Sequence, residues 1–246
     1  MNDLNDKYNQ VFDETPIMGM IHLAGPRPSD TAMDEIRVLE SEGVDAAIIE
    51  NYHGTREDVT TTLQRVRYSG IRIKIGVNML PNHYNDALSL ADTYDADFVQ
   101  VDQVAGSYTS GKLDFDRHAH IRGRFPDIAV LGGVWPKYYR PIEGSILEHD
   151  LIDGMNRADA VVVTGAKTGG ETPLNKIKEF RKTIGDHPLV VGAGLNLDNA
   201  YDQLIIADGG IVGTSLKENG DTRKMIDRRK VRDFMDIVRQ VRKDKK

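Results

Sequence analysis

The 246-residue chain contains no cysteine. Disulfides, thiolate nucleophiles and cysteine-ligated iron–sulfur clusters are therefore excluded. It also lacks any apolar run near the roughly 20 residues that a membrane-spanning helix needs, which predicts no membrane insertion. The opening stretch Met1–Lys7 has no apolar segment of the secretory-leader kind, so the expected location is the cytoplasm. An excess of basic charge is missing as well. The net charge is −6 and the pI about 5.7, which argues against a nucleic-acid partner. The basic stretch Arg239–Lys246 reads as a helix end, where cations complement the helix dipole. Compact metal-ligand spacing of the His-x-x-x-His kind is absent. No metal or other cofactor is expected, and the one divalent set that could be drawn is His22, Glu50 and Asp102.

What remains is ordinary for a globular chain, with 39% hydrophobic and 28% charged residues. One theme repeats along it: a short run rich in Val and Ile ends in Gly or polar residues and gives way to a helical stretch. Such runs read as strands buried on both faces of a parallel sheet. Eight are expected, at Ile17–Leu23, Val44–Glu50, Ile71–Val77, Asp97–Asp102, Ile128–Val134, Asp159–Thr164, Leu189–Gly192 and Gly210–Gly213. Between them, Ala32, Ile36 and Leu39 keep helical spacing, with Ser29 as expected N-cap. Val59, Leu63 and Val66, then Tyr84, Ala87, Leu88 and Ala91, and finally Val231, Phe234, Met235 and Val238 do the same. Asp114–Phe125 has the weakest helical pattern.

Eight alternating units in this length predict an α/β protein, a (β/α)8 TIM barrel spanning residues 16–246, with 1–15 as an N-terminal arm or helix. An open doubly wound sheet would need a glycine fingerprint after the first strand. Leu23-Ala24-Gly25-Pro26-Arg27-Pro28 does not supply one.

In such barrels chemistry sits at the C-terminal strand ends. Here those ends carry His22, Glu50-Asn51, Asn78, Asp102, Lys137 and Thr164-Gly165. The seventh run closes on Gly192-Ala193-Gly194 and the eighth on Gly213-Thr214-Ser215. Glycine admits close backbone approach, and a short helix starting at Thr214 or Ser215 would aim N–H groups at the same spot. The pair predicts a phosphate-binding site. Glu50 and Asp102 could serve as general acid and base or hold sugar hydroxyls, unless one forms an ion pair with Lys137 or Lys74. Lys137 could act as an acid, an imine-forming amine or an anion clamp. Trp135, beside Tyr138 and Tyr139, could stack on a ring or pack as a lid.

Four segments carry a family resemblance: Pro16–His22, Gly43–Asn51, Ala160–Gly165 with Thr168-Gly169, and Gly210–Lys217. They resemble the BtpA family, which includes the SgcQ-type proteins, and the similarity runs from about Pro16 to Phe234. The resemblance implies a phosphate-binding barrel. It also implies that His22, Glu50, Asn51, Asn78, Lys137, Thr164 and Gly165 stand at the family's motif positions. The family is named for a role in photosystem I accumulation, and other members are encoded with sugar-uptake genes or labelled nucleosidases. This chain departs after the fifth strand. The family's Lys-His pair is Lys137-Tyr138 here, and Gly132 or Gly133 stands where an Asp is usual. The Pro-rich segment after His22 is altered too. A proton-transfer role for that His does not carry over.

The resulting expectation is an enzyme acting on a phosphorylated sugar or on a ribosyl or nucleoside compound, by isomerisation, lyase chemistry or glycosidic cleavage. Glu50, Asp102 and Lys137 are the expected reacting groups. A phosphorylated small molecule is the expected partner, with homo-oligomerisation left open. The competing reading is a non-catalytic assembly or regulatory factor of the photosystem I biogenesis type.

Overall fold

The computed structural model describes residues 4–246. Every expected apolar run holds a strand, and all eight join in one closed parallel barrel. The barrel strands are β1 (Ile17–Ile21), β2 (Ala46–Glu50), β3 (Lys74–Asn78), β4 (Phe98–Val101), β7 (Ala129–Gly133), β8 (Ala160–Val163), β9 (Leu189–Val191) and β10 (Gly209–Val212). They neighbour one another in that order, and β10 pairs with β1 to close the ring. A small antiparallel hairpin, β5 (Ser107–Tyr108) and β6 (Gly111–Lys112), lies outside the barrel. Strands of two residues are too short to leave a hydrophobic period, so the sequence pattern misses them.

Helices follow the strands: α2 (Pro28–Ser41), α3 (Arg56–Arg67), α4 (Tyr84–Tyr94), α5 (Phe115–Arg124), α6 (Leu147–Met155), α7 (Leu174–Ile184), α8 (Ala200–Leu204) and α9 (Arg228–Asp244). Their apolar stripes are the expected ones: Ala32, Ile36 and Leu39 on α2, and Val231, Phe234, Met235 and Val238 on α9, are all buried. One helix start differs in detail. Arg27, not Ser29, occupies the N-cap of α2, with Pro28 as first helical residue. Ser29 lies inside the helix, buried, and accepts a hydrogen bond from Arg65 (3.2 Å). The poorly patterned Asp114–Phe125 stretch does form α5, because the Asp114 carboxylate caps the Arg117 N–H (2.9 Å). Among the described residues no helix is long and apolar enough to cross a membrane.

The expected N-terminal arm is α1 (Leu4–Val11); residues 1–3 lie outside the described part. It closes the N-terminal end of the barrel. Tyr8 and Phe12 join an interior cluster with Met18, Ile48, Phe98, Leu131 and Val162. The Phe12 ring meets Phe98 edge-on at 5.1 Å. Gly76 makes room for that Phe98 ring, since a Cβ there would lie 2.4 Å from its Cε2.

The same end carries a device repeated four times around the ring. Asp45, Asp97, Asp159 and Asp208 precede β2, β4, β8 and β10. Each accepts an N–H from the first or second residue of the preceding barrel strand: Ile17 (2.7 Å), Ile75 (2.8 Å), Val130 (2.7 Å) and Leu189 (2.8 Å). Each also pairs with a cation, in turn Arg242, Lys74, Arg122 and Arg181. Lys74 is thus held by Asp97 at 3.0 Å, at the end of the barrel away from Glu50 and Asp102.

Candidate functional site

Side chains alternate along a strand, so parity fixes which residue at each C-terminal end points into the barrel. The inward set at the mouth is His22, Glu50, Asn78, Gln100 with Asp102, Gly133, Thr164, Gly192 and Gly213. These residues line two adjoining cavities. The outer one, about 140 Å³, is bounded by His22, Thr168, Gly169, Gly194, Asn196, Gly213, Thr214 and Ser215. The inner one, about 90 Å³, is bounded by Asn78, Gln100, Asp102, Gly133, Tyr138 and Thr164. Met20, Glu50, Tyr52, Lys137, Thr168 and Gly192 belong to both walls. Glu50 and Lys137 therefore stand where the cavities meet.

The outer cavity is shaped by backbone. Gly194 has φ +73°, and a Cβ on it would sit 2.2 Å from the Gly170 carbonyl oxygen, so only glycine fits between the loops after β8 and β9. Gly213 differs: its φ is negative, −132°, and a Cβ there would lie 3.0 Å from His22 Cε1. The expected short helix after β10 is a single 3-10 turn, Thr214–Leu216. Ser215 Oγ donates to the Leu195 carbonyl (2.6 Å), joining the last two strand-end loops. Just beyond, Lys217 pairs with Glu35 of α2 at 2.6 Å, both buried. Glu35 also accepts the Ile226 N–H (3.1 Å). The loop after β10 is thereby anchored under the mouth.

The inner cavity sets polar groups among the apolar side chains of Met20, Leu80, Pro136 and Val162. Asn78 Nδ2 donates to Glu50 Oε1 (2.8 Å) and to Gln100 Oε1, linking β2, β3 and β4 at one level. Tyr139 donates its hydroxyl to Asp102 Oδ2 (3.1 Å). Lys137 is half-buried and donates its N–H to Thr164 Oγ1 (2.7 Å). Lys176 donates to the Trp135 and Thr164 carbonyls (3.0 and 2.9 Å), tying the loop after β7 to the end of β8.

Electrostatics follow from burial. Desolvation pushes the Glu50 carboxyl up to about 7; the nearby Lys137 charge and the Asn78 hydrogen bond pull it down, and Asp102 pushes it further up. Burial also raises Asp102, against the Tyr139 hydrogen bond and Lys137. His22 is pushed down to about 3, first by burial and then by Lys217, His53 and Lys137, so its imidazole is neutral at physiological pH.

Parity also separates the sequence-derived residues. Asn51, one past Glu50, does not line either cavity. Its amide exchanges two hydrogen bonds with the Leu80 backbone (3.2 and 2.7 Å), holding the loop after β3. Gly165, one past Thr164, packs against the Glu171 carbonyl, which a Cβ would approach to 2.4 Å. Trp135 turns its indole N–H to Asp150 (2.7 Å) and lines neither cavity, while Tyr138 hydrogen-bonds Thr168 across the mouth. Gln100 is the wall residue that sequence reasoning missed, although it precedes Asp102 by two on one strand and so shares its face. Tyr52, Thr168 and Asn196 come from loops and carry no such signal. Among the described residues no group of three or more His, Asp or Glu side chains is placed to hold a metal ion.

These features define a closed β/α-barrel protein with a glycine-lined, partly acidic double cavity at its C-terminal mouth. The chain belongs to the BtpA family, whose model matches residues 13–240. Similar relatives include an uncharacterized protein of Archaeoglobus fulgidus, 32% identical over 89% of this chain and 96% of its own. The photosystem I biogenesis protein BtpA of Synechocystis is 26% identical over 98% of this chain and 93% of its own. The sgc region protein SgcQ of Escherichia coli is 28% identical over 87% and 85%. Among solved structures, phosphoribosyl anthranilate isomerase from Thermococcus kodakaraensis superposes with TM-score 0.62 at 16% identity, covering 92% of this chain and 99% of that one. KGPDC from Streptococcus mutans gives 0.62 at 13%, covering 93% and 99%. At such identities the likeness is one of fold.

Proposed function

We propose that the protein is an enzyme that holds a phosphorylated sugar or ribosyl compound by its phosphate in the outer cavity and moves a proton on its carbon end in the inner one. The observation that carries this reading is Glu50. Its carboxyl is buried at the junction of the two cavities and poised at about 7, where one group can both accept and donate a proton. Asp102 and Lys137 supply a second carboxyl and a cation beside it. The anchor is formed by Gly192, Gly194, Gly213, Thr214 and Ser215, with Thr168 and Gly169 opposite. Fixing the phosphate there orients the reacting carbon toward Glu50. Isomerisation, carbon–carbon cleavage and glycosidic cleavage all need a proton moved at that point. Thermococcus phosphoribosyl anthranilate isomerase has the same fold, and its name is that of a phosphoribosyl enzyme.

The test is to incubate the protein in D2O with a panel of pentose, hexose and phosphoribosyl compounds and follow them by 1H and 31P NMR. Deuterium incorporation or product with the native chain, lost in Glu50→Gln, supports the reading. A panel inert with both proteins favours a non-catalytic binding role.

A further inference from the structure

Asn78 is almost wholly buried, and its amide is half used. Both Nδ2 hydrogens are taken, by Glu50 and Gln100, while Oδ1 has no hydrogen-bond partner. A buried acceptor without a donor costs stability, and a ligand that donates to it removes the cost. Gln100 is engaged through its carbonyl oxygen, which leaves its NH2 as a donor in the same cavity lining. Asp102 and Thr164 add oxygen atoms on the same wall. Acceptors and donors packed this closely match a chain of hydroxyl groups, each of which both donates and accepts.

Size narrows the ligand further. Pockets for drug-sized molecules run from about 300 to 1,000 Å³. The inner cavity, at about 90 Å³, is well below that range. Gly133 keeps that wall free of a side chain, since a Cβ there would lie 2.0 Å from the Asp102 carbonyl oxygen.

We propose that the inner cavity is a polyol subsite that takes the hydroxylated carbons of a small sugar phosphate and leaves out a nucleobase or aryl group. Asn78 Oδ1 accepts from one hydroxyl and the Gln100 amide donates to a neighbouring one. This rests on the phosphate anchor proposed above and deepens it, selecting simple sugar phosphates over nucleosides and their phosphates.

Calorimetric titration of the full chain with four probes tests it: inorganic phosphate, ribose 5-phosphate, n-pentyl phosphate and adenosine 5′-monophosphate. The expected order has ribose 5-phosphate binding at least tenfold tighter than each of the other three. In Asn78→Leu and Gln100→Leu that advantage shrinks to less than threefold, while inorganic phosphate affinity is unchanged. The probe series on the native chain stands even if a variant fails to fold. Inorganic phosphate binding with no advantage for ribose 5-phosphate over n-pentyl phosphate overturns the polyol subsite and leaves the anchor intact. Equal or tighter binding of the nucleotide does the same. Failure of both inorganic phosphate and ribose 5-phosphate to bind overturns the anchor and the subsite together.

Discussion

At the scale of single residues, burial sets the chemistry of Glu50. Its carboxyl titrates at about 7 in the folded protein against an ordinary 4.5. Below the lower value both folded and unfolded states are protonated, and no penalty exists. As pH rises to about 7 the unfolded chain ionises while the folded carboxyl resists, so this group's contribution to stability is lost across that window. Glu50→Gln removes the ionisation and keeps an acceptor for Asn78. Above neutral pH the variant should therefore be more stable than the native protein, by up to about 3 kcal/mol. Urea unfolding at pH 5 and pH 8 checks this; an equal gain or loss at both would remove Glu50 from the account. Turnover, in contrast, should fall by roughly 100-fold or more, and the limb of the pH–rate profile near 7 should vanish. Lys137 separates the same two quantities differently. It is half-buried, so Lys137→Met keeps the apolar stem and should change stability by less than ~1 kcal/mol. Turnover should fall by about 100-fold or more, since the cation facing Glu50 and Asp102 is gone. Unchanged turnover would make Lys137 a bystander.

At the scale of elements, two glycines at neighbouring strand ends should respond in opposite ways. A Cβ at Gly213 meets only side-chain atoms, of His22 and Met20 at 3.0 and 3.1 Å, and in the folded protein Gly213→Asp should abolish phosphate binding by placing a carboxylate in the outer cavity. Gly194→Ala meets both a positive φ and a backbone carbonyl, and should cost about 2 kcal/mol or more. Thermal melts with and without 10 mM phosphate, about a saturating level if the anchor exists, distinguish the two. Elements also explain what the sequence could reveal. Buried parallel strands are continuous apolar runs, so all eight were legible, and so was the side of the barrel on which Glu50, Asp102 and Gly213 would gather. Strand parity is equally legible in principle: it places Gln100 on the wall and takes Asn51 and Gly165 off it. What a sequence does not carry is loop geometry. Thr168 reaches the mouth from an irregular loop, and the turn of the Trp135 indole toward Asp150 depends on packing between distant segments.

At the scale of the whole molecule, the two ends of the barrel divide the labour. The N-terminal end is filled by α1 and tied by the fourfold repeat of aspartates that join adjacent strands, whereas the C-terminal end holds the double cavity with Glu50, Asn78 and Asp102. This predicts that lesions at the closed end change stability alone. Asp159→Asn leaves the mostly buried Arg122 guanidinium with the Phe125 and Ile128 carbonyls but no carboxylate, and weakens the cap on β7. It should cost about 3 kcal/mol and leave ligand affinity of the folded protein unchanged. Denaturant unfolding beside calorimetric titration checks both halves. The claim on which the account turns is that one phosphorylated ligand bridges the two cavities past Glu50. A crystal structure of the protein soaked with ribose 5-phosphate tests it most directly. The account predicts phosphate against Gly194, Gly213 and Thr214, with the carbon chain running past Glu50 to Asn78. Phosphate bound elsewhere, or a sugar lying outside the inner cavity, would contradict it.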